Sequence, residues 1–178
     1  MRIKKLIKQA KSGRSEAQRA LYDLTCAQLN SVALRYVVER SLAEDVLQES
    51  YIRIFKSLKS FEYRDERSTL AWMKRITVTE SLRLLKKRKR WTASDQSNPT
   101  DLTISTDYNA TDDITSALTK LSDRQRIVFN MYAIEGYNHD EIASHLNIAA
   151  SSSRALLSRA RSILKNTLTK RTKYEQDR

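Results

Sequence analysis

The sequence is poor in the residues that reverse a polypeptide chain. It has 2 glycines and 1 proline among 178 residues, roughly 2% where average usage gives about 12%. β-Hairpins and phosphate-binding loops depend on these residues, so both are disfavoured. The scarcity of chain-reversing residues therefore predicts an all-α protein.

Cysteine and histidine are also scarce. Cys26 is the single cysteine, and there are 2 histidines, too few for a disulfide framework or a structural zinc site within the chain. A lone cysteine is typical of a reducing compartment. The sequence offers no nucleophile with a base and no phosphate-binding loop, so we predict no catalytic residue, no metal and no cofactor.

Long apolar runs are missing as well. No stretch approaches the roughly 18 apolar residues of a membrane span. The basic segment 1–14 has Ile3, Leu6 and Ile7 at helical spacing with no apolar run after it, which argues against a signal peptide. The sequence therefore predicts a cytoplasmic protein without membrane insertion.

The chain has an excess of positive charge. Lysine and arginine number 33 against 21 aspartates and glutamates, a net charge of +12. This excess indicates a polyanionic partner, either nucleic acid or an anionic membrane surface. Charge alone does not distinguish the two.

A polar segment divides the sequence into two helical blocks. The stretch after Trp91 carries five aspartates without a lysine or arginine, and it contains Pro99. Its many Ser, Thr, Asn and Asp residues favour turns over helix. We therefore predict two small helical domains, 1–91 and 114–173, joined by a flexible linker, 92–113, and followed by a tail, 174–178.

One helix of the first block has two contrasting faces. At 100° per residue, its apolar side consists of Leu47, Tyr51, Ile54 and Leu58. Its other side carries Asp45, Gln48, Glu49 and Ile52. An exposed aliphatic residue among hydrogen-bonding groups suits a protein interface, although a merely solvated face explains the same pattern.

The next helix, predicted from Ser68 to Arg90, combines an apolar and a cationic side. Leu70, Met73, Thr77 and Leu84 share one side. The other side carries Trp72, Arg75, Thr79, Arg83, Lys86 and Arg90. Such a face fits phosphate neutralisation with stacking on an exposed base; the alternative is that Trp72 belongs to the core.

The loop before this helix is rich in aromatic and basic residues. It offers Phe61, Tyr63, Arg64 and Arg67. Loops with aromatics and arginines can hold unstacked bases, but two aromatics beside a small core can also simply cover it. Both interpretations stay open from the residues alone.

The second block has the pattern of a helix-turn-helix. Ser122 with Gln125, and Asn138 with Glu141, form capping-box patterns, and Asn147 lies where a left-handed turn residue is needed. The last helix is predicted to bury Leu157, Ala160 and Leu164. Its predicted major-groove contacts are Ser151, Ser152, Ser153, Arg154, Ser158 and Arg161.

The chain resembles a bacterial sigma factor of the sigma-70 family, in the extracytoplasmic-function (ECF) subgroup. Three segments carry the resemblance: AEDVLQESYIRIFKSL, STLAWMKRITVTESLRLLKKRKR and ALTKLSDRQRIVFNMYAIEGYNHDEIASHLNIAASSSRALLSRARSIL. Only the linker and the terminal tails fall outside it. The resemblance implies a non-catalytic subunit that binds core RNA polymerase, directs it to promoters and assists DNA melting.

The resemblance also implies a role for each surface. Helix 42–59 would dock on the clamp helices of the largest polymerase subunit through Asp45, Gln48, Glu49 and Ile52. Loop 61–68 and helix 69–90 would bind the minus-ten element and capture a flipped base, and residues 151–161 would read the minus-thirty-five element. The linker would thread the polymerase channels. Promoter DNA, the polymerase flap and an anti-sigma factor complete the candidate partners.

The sequence departs from the family pattern in both DNA-reading helices. Thr79 and Arg83 stand where family members commonly carry Asn and Asp, which points to a different base preference. Asn147 replaces a usual glycine, and residues 149–151 replace a common Ser-Glu-Gly cap. Specificity at the upstream element is therefore expected to depend on DNA shape and on Arg154.

Two other classes of function explain parts of the pattern. One is a stand-alone helix-turn-helix regulator that binds duplex DNA without polymerase. The other is a basic RNA-binding protein whose helix-turn-helix is only structural. Asp45, Gln48 and Glu49 argue against both, because neither class needs an acidic docking surface on a basic chain.

Overall fold

The structure is a computed structural model that describes residues 2–88 and 113–176. These residues are helical, with no β-strand among them, and they fall into two compact units, 2–88 and 113–176. The prediction of an all-α fold with two helical domains is confirmed. Arg90 lies outside the described residues, as does the predicted linker apart from its last residue. The path of the linker through the polymerase channels therefore stays a prediction.

The first unit is a bundle of four helices around α2. Its elements are α1 (Arg2–Lys11), α2 (Ser15–Val37), α3 (Arg40–Ser57), a 3₁₀ turn (Leu58–Ser60) and α4 (Glu66–Arg88). α2 packs against the other three helices, and α3 also packs against α4. Leu21, Leu29, Ile54 and Met73 are fully buried where these helices meet.

Small hydroxyl residues line much of this bundle interior. Thr25, Ser50, Thr77 and Ser81 are buried, and each donates its hydroxyl to the carbonyl oxygen four residues earlier, at 2.6 to 3.2 Å. A buried hydroxyl satisfied within its own helix avoids the cost of an unpaired polar group. These short side chains let the long helices approach closely.

A strained turn joins α2 to α3. Val38 has φ 64°, a conformation that is uncommon for any residue with a Cβ and more so for a β-branched one. The turn is held by a bond from Val38 N–H to the Leu34 carbonyl at 2.9 Å and one from Glu39 N–H to the Val37 carbonyl at 2.7 Å. Packing of α2 on α3 must therefore outweigh a strain of about 1–3 kcal/mol.

The second unit is built on one long helix. Its elements are α5 (Asp113–Leu118), α6 (Asp123–Phe129), a π-helical turn (Asn130–Ile134), α7 (His139–Leu146) and α8 (Ala150–Gln176). α8 packs against α5, α6 and α7. Leu157, Ala160 and Leu164 are buried, as predicted. The predicted tail begins inside α8, which runs to Gln176.

Both predicted capping boxes are present. Ser122 Oγ accepts from Gln125 N–H at 3.4 Å, and Asn138 Oδ1 accepts from Glu141 N–H at 2.9 Å. The glutamine and glutamate side chains return bonds to the N–H groups of Ser122 and Asn138. Asn147 ends α7 with φ 53° and ψ 53°, the predicted left-handed conformation.

Candidate functional site

The polar residues predicted to dock a protein lie together on α3. Asp45, Gln48 and Glu49 are exposed, and Ile52 is exposed over 46% of its surface. Residues three and four apart share a helix face, so the four form one continuous strip, which we name the α3 patch. Such an exposed aliphatic residue among hydrogen-bonding groups is typical of a protein-binding surface.

The opposite face of α3 is fixed against α2. Tyr51 is buried, and its hydroxyl lies 2.7 Å from Thr25 Oγ1. Burial raises the pKa of the Tyr51 phenol, which keeps it a neutral hydrogen-bonding group well into the alkaline range. Its ring also packs on Tyr22, with centroids 4.6 Å apart. These contacts set the rotation of α3 and hence the direction of the α3 patch.

Phe61 and Trp72 form one wall of an open cavity of about 480 Å³. Their rings stack, with centroids 4.1 Å apart and an angle of 21° between planes. The remaining lining residues carry hydroxyl groups or charge: Ser57, Ser60, Glu62, Arg64 and Ser68. An aromatic wall beside hydrogen-bonding groups and a cation can receive a planar polar ring. We name this cavity the base site, after the prediction that its loop holds an unstacked base.

The aromatic residues of the loop contact the core as well as the cavity. Phe61, Tyr63 and Trp72 are half-buried and pack against the apolar cluster of the first unit. Trp72 thus packs against the core, as the second alternative has it, and it also lines the base site, while its stacking on a base stays a prediction. Tyr63 lies on the same loop but is not among the residues that line the cavity.

The predicted basic face of α4 is solvent-facing. Arg75, Thr79, Arg83 and Lys86 are all exposed. Thr79 Oγ1 donates to the carbonyl oxygen of Arg75 at 2.9 Å, which leaves the hydroxyl oxygen as an outward acceptor. The face continues for three helical turns from the base site, so it can follow a phosphate backbone.

A buried carboxylate lies beneath this basic face and was missed by the sequence analysis. Glu80 is only 6% exposed and forms an ion pair with Arg53 of α3, while Arg83 Nη1 lies 4.0 Å from its second oxygen. Glu80 therefore connects α4 to the residue next to Ile52. Its spacing to Arg83 was the available sequence signal, and the pairing with Arg53 depends on how the helices pack.

The exposed side of α8 carries most of the predicted major-groove residues. Ser151, Ser152, Arg154, Ser158 and Arg161 are exposed from the first turn onward. α7 and α8 are joined by the left-handed Asn147, which gives the pair its helix-turn-helix form. Four of these residues lie within about 80° of one another around the second helix of the motif, and Ser152 lies about 100° from Ser151, towards the other edge of the exposed side.

Ser153 does not lie with this exposed set. It is fully buried, and its hydroxyl lies 3.0 Å from Nδ1 of His139 in α7. We therefore correct its predicted role from DNA contact to packing between α7 and α8. Ser153 lies four residues before Leu157 and seven before Ala160, so the helical spacing of the predicted buried face already indicated which of the three serines is covered.

Two further aromatic residues organise this side of the second unit. The Tyr132 ring stacks on His139, with centroids 4.6 Å apart. The guanidinium of Arg161 lies 5.5 Å from the centroid of the same Tyr132 ring. Arg161 is thus held at the surface by a cation–π contact. The sequence pattern alone assigned no role to Tyr132.

Within the two described ranges, no cluster of three or more metal-ligating side chains occurs. A search of the same ranges finds no helix able to cross a membrane.

Two family models match the chain. The model of sigma-70 region 2 matches residues 21–91, which begin within α2, and the model of sigma-70 region 4 matches residues 111–164. The first match contains the α3 patch, the base site and the basic face of α4. The second contains the helix-turn-helix and its exposed serines and arginines.

Individual relatives span nearly the whole chain. The ECF RNA polymerase sigma factor SigW of Bacillus subtilis is 26% identical over 94% of this chain and 97% of its own length. The ECF RNA polymerase sigma factor SigL of Mycobacterium tuberculosis is 29% identical over 89% and 93%. In fold, the chain is similar to the sigma factor RpoE of Bartonella quintana, solved in complex with the anti-sigma factor NepR. That similarity has a TM-score of 0.54 and 23% identity over 85% of this chain and 96% of RpoE.

Proposed function

Because this chain belongs to the sigma-70 family as an ECF sigma factor, we propose how its surfaces divide the work of transcription initiation. The protein binds core RNA polymerase and directs it to promoter DNA. A stand-alone helix-turn-helix regulator accounts for the region 4 match but not for the region 2 match over residues 21–91. A basic RNA-binding protein accounts for neither.

The α3 patch is the docking surface for the clamp helices of the largest polymerase subunit. The observation that supports this role is the exposure of Ile52 among Asp45, Gln48 and Glu49. On a chain with a net charge of +12, an acidic strip is poorly suited to DNA and well suited to a basic protein surface. Ile52 supplies the apolar centre that such an interface needs.

The base site and α4 bind the minus-ten element. A base that has left the duplex enters the cavity between the aromatic wall and Arg64, where stacking and hydrogen bonding replace its lost partners. Arg75, Arg83 and Lys86 neutralise the phosphates of the same strand. Thr79 offers the hydroxyl oxygen on this face, and Arg90 extends the basic surface in sequence.

α8 reads the minus-thirty-five element in the major groove. Ser151 and Ser152 lie in its first turn, where hydroxyl groups and free backbone N–H groups can bind phosphate. Arg154, Ser158 and Arg161 follow on the same side. Arg154 is the residue suited to a bidentate contact with a guanine edge, and the second unit also meets the polymerase flap.

The family assignment carries three further proposals. The protein catalyses no step itself, since sigma factors are specificity subunits of the polymerase. It acts in the cytoplasm, where the polymerase and the chromosome are found. The solved RpoE binds an anti-sigma factor, and we include a protein of that class among the partners of this chain.

The test of the docking proposal is binding to purified core RNA polymerase. Glu49→Ala removes one carboxylate from the α3 patch and is expected to weaken binding. Glu44→Ala is the control for Glu49→Ala, because Glu44 is an exposed carboxylate of the same helix that pairs with Arg40 at 3.4 Å and lies at the edge of the patch, about 140° around the helix from Glu49. The triple Asp45, Gln48 and Glu49 to Ala variant is expected to abolish stable binding.

Three outcomes distinguish the possibilities. Loss of binding with Glu49→Ala but not with Glu44→Ala supports the α3 patch as the docking surface. Equal binding by the wild type and the triple variant would contradict it, provided that the melting temperatures agree. A wild-type chain that binds promoter duplex but not core polymerase would contradict the sigma-factor mechanism itself.

A further inference from the structure

α1 is a cationic helix that the proposed mechanism leaves without a role. Its ten residues, RIKKLIKQAK, include five basic and no acidic side chains. It lies before residue 21, where the match to sigma-70 region 2 begins. An element outside the matched segment that nevertheless contacts the base site calls for a separate explanation.

The apolar face of α1 is anchored in the core beside the base site. Ile3, Ile7 and Ala10 are buried in the same cluster as Leu58 and Met73. The turn after α1 closes with Gly13 at φ 80° and a bond from its N–H to the Ala10 carbonyl at 3.0 Å. The position of α1 is therefore fixed by packing and does not depend on its lysines.

Two lysines of α1 contact the loop that carries the aromatic residues. The Lys11 ammonium donates to the backbone carbonyl oxygen of Phe61. The Lys4 ammonium lies 5.9 Å from the centroid of the Tyr63 ring. Phe61 is also the residue whose N–H closes the 3₁₀ turn on Leu58, at 3.1 Å. The peptide groups on both sides of the Phe61 Cα are thus held.

We propose that Lys11 is a positioning residue for the base site. Its charge-assisted bond, stronger than one between neutral groups, fixes the Phe61 backbone so that the Phe61 ring stays stacked on Trp72. This inference rests on the proposed capture of a base in the cavity. Lys11 acts through Phe61 and does not itself touch the base.

Lys8 provides a matched control on the same helix. It is exposed and lies one turn before Lys11. Lys8→Met and Lys11→Met remove the same charge and keep an unbranched apolar stem. Their general electrostatic effects on DNA are therefore alike, and a difference between them reports the Phe61 contact. Lys11→Arg retains a cationic donor and tests rescue.

The experiment measures binding of reconstituted holoenzyme to a premelted promoter probe. The probe is first selected with the wild-type holoenzyme from a pool randomised over the minus-ten segment. A second probe replaces the base whose removal weakens wild-type binding most with an abasic site. Each variant is measured on both probes, together with its melting temperature.

On the intact probe, Lys11→Met is expected to bind about fivefold more weakly than Lys8→Met, the factor that one hydrogen bond supplies. On the abasic probe the two variants should bind alike, and Lys11→Arg should restore most of the loss. Equal binding by both variants on the intact probe would overturn the proposal. So would an excess loss for Lys11→Met that persists on the abasic probe.

The same data separate this inference from the proposed function. If no abasic position weakens the wild-type holoenzyme, base capture itself fails. If an abasic position weakens the wild type while Lys11→Met behaves like Lys8→Met, base capture stands and only the role of Lys11 is overturned.

Discussion

The first unit consists mainly of helices of 18 to 23 residues, whereas α6 and α7 of the second unit have 7 and 8. Neither Arg14 before α2 nor Glu39 before α3 makes a side-chain capping bond. α6 and α7 each begin with a complete capping box. Isolated helices below about 12 residues are marginal in water. The local caps therefore help to stabilise α6 and α7, whereas α2 and α3 rely on their buried faces.

The two units also differ in where a buried charged side chain finds its partner. Glu80 of the first unit is paired with Arg53 of a different helix. Arg126 of the second unit donates to the Leu121 carbonyl at 3.2 Å and to Asp123 at 2.6 Å, both within five residues. Burial lowers the pKa of Arg126, and the nearby Asp123 opposes this shift. The buried charge of the first unit is thus paired between helices, and that of the second unit is paired with sequence neighbours.

Removing a core side chain from either unit should have the largest effect on stability. Ile54 and Ile127 are both fully buried, and their replacement by alanine is expected to cost about 2–5 kcal/mol of unfolding free energy each. Hydrogen exchange resolved by peptide mass spectrometry should show faster exchange only in the unit that carries the substitution. Equal acceleration in both units by either variant would contradict the division into separate cores.

The proposed DNA contacts offer a second comparison, because those of the second unit are concentrated on one helix. Arg154→Ala should weaken binding of holoenzyme to the minus-thirty-five duplex by about 1–3 kcal/mol if the guanidinium makes a bidentate base contact. Arg159→Ala is the control, since Arg159 is exposed on α8 but lies about 140° around the helix from Arg154. A loss for Arg154→Ala that is uniform over all duplex sequences would make Arg154 a phosphate contact.

Substitutions at the helix starts should change the unfolding free energy less, and by different amounts in the two units. Asn138→Ala removes the side-chain acceptor of two N–H groups, those of Asp140 and Glu141, and is expected to cost about 1 kcal/mol. Arg14→Ala, at the start of α2, should leave the unfolding free energy nearly unchanged. Chemical denaturation of the two variants measures both values. A larger cost at Arg14 than at Asn138 would reverse the comparison between the units.

Local features of the fold were predictable from the sequence. The two capping boxes and the left-handed Asn147 depend on residues within four positions, and all three predictions are confirmed. The split of α3 into a buried and an exposed face was equally accessible, because a single helical period determines it.

Contacts between distant residues were not predictable. Lys11 and Phe61 are 50 residues apart, and His139 and Ser153 are 14 apart. The partner of a covered polar group depends on the neighbouring helix, so the contact of Ser153 with His139 and the pairing of Glu80 with Arg53 were not predictable. The burial of Ser153 itself follows from its helical spacing to Leu157. The burial of hydroxyl residues such as Ser81 is also not predicted by a search for apolar residues, because these side chains are buried with their hydroxyl bonded to their own helix.

The smallest expected effect concerns Asp65, where the first unit does use a local cap. Asp65 precedes α4 and accepts from Ser68 N–H at 2.7 Å and from Ser68 Oγ at 2.8 Å. These bonds lower the pKa of Asp65 below the usual value of 3.8. The ionised Asp65 carboxylate is the form that accepts these bonds. Its contribution to the stability of the folded protein is therefore fully present above pH 3.8 and is lost as the pH falls through the lower pKa of the folded state.

Nuclear magnetic resonance of the Ser68 amide tests this cap. In the wild type, its chemical shift should move with a midpoint below pH 3.8. Asp65→Asn keeps the acceptor oxygen but cannot titrate, so that transition should disappear while the start of α4 is preserved. A wild-type midpoint at or above 3.8 would mean that the cap is not formed in solution. The long helices would then lack caps even where the chain leaves the core to form the base site.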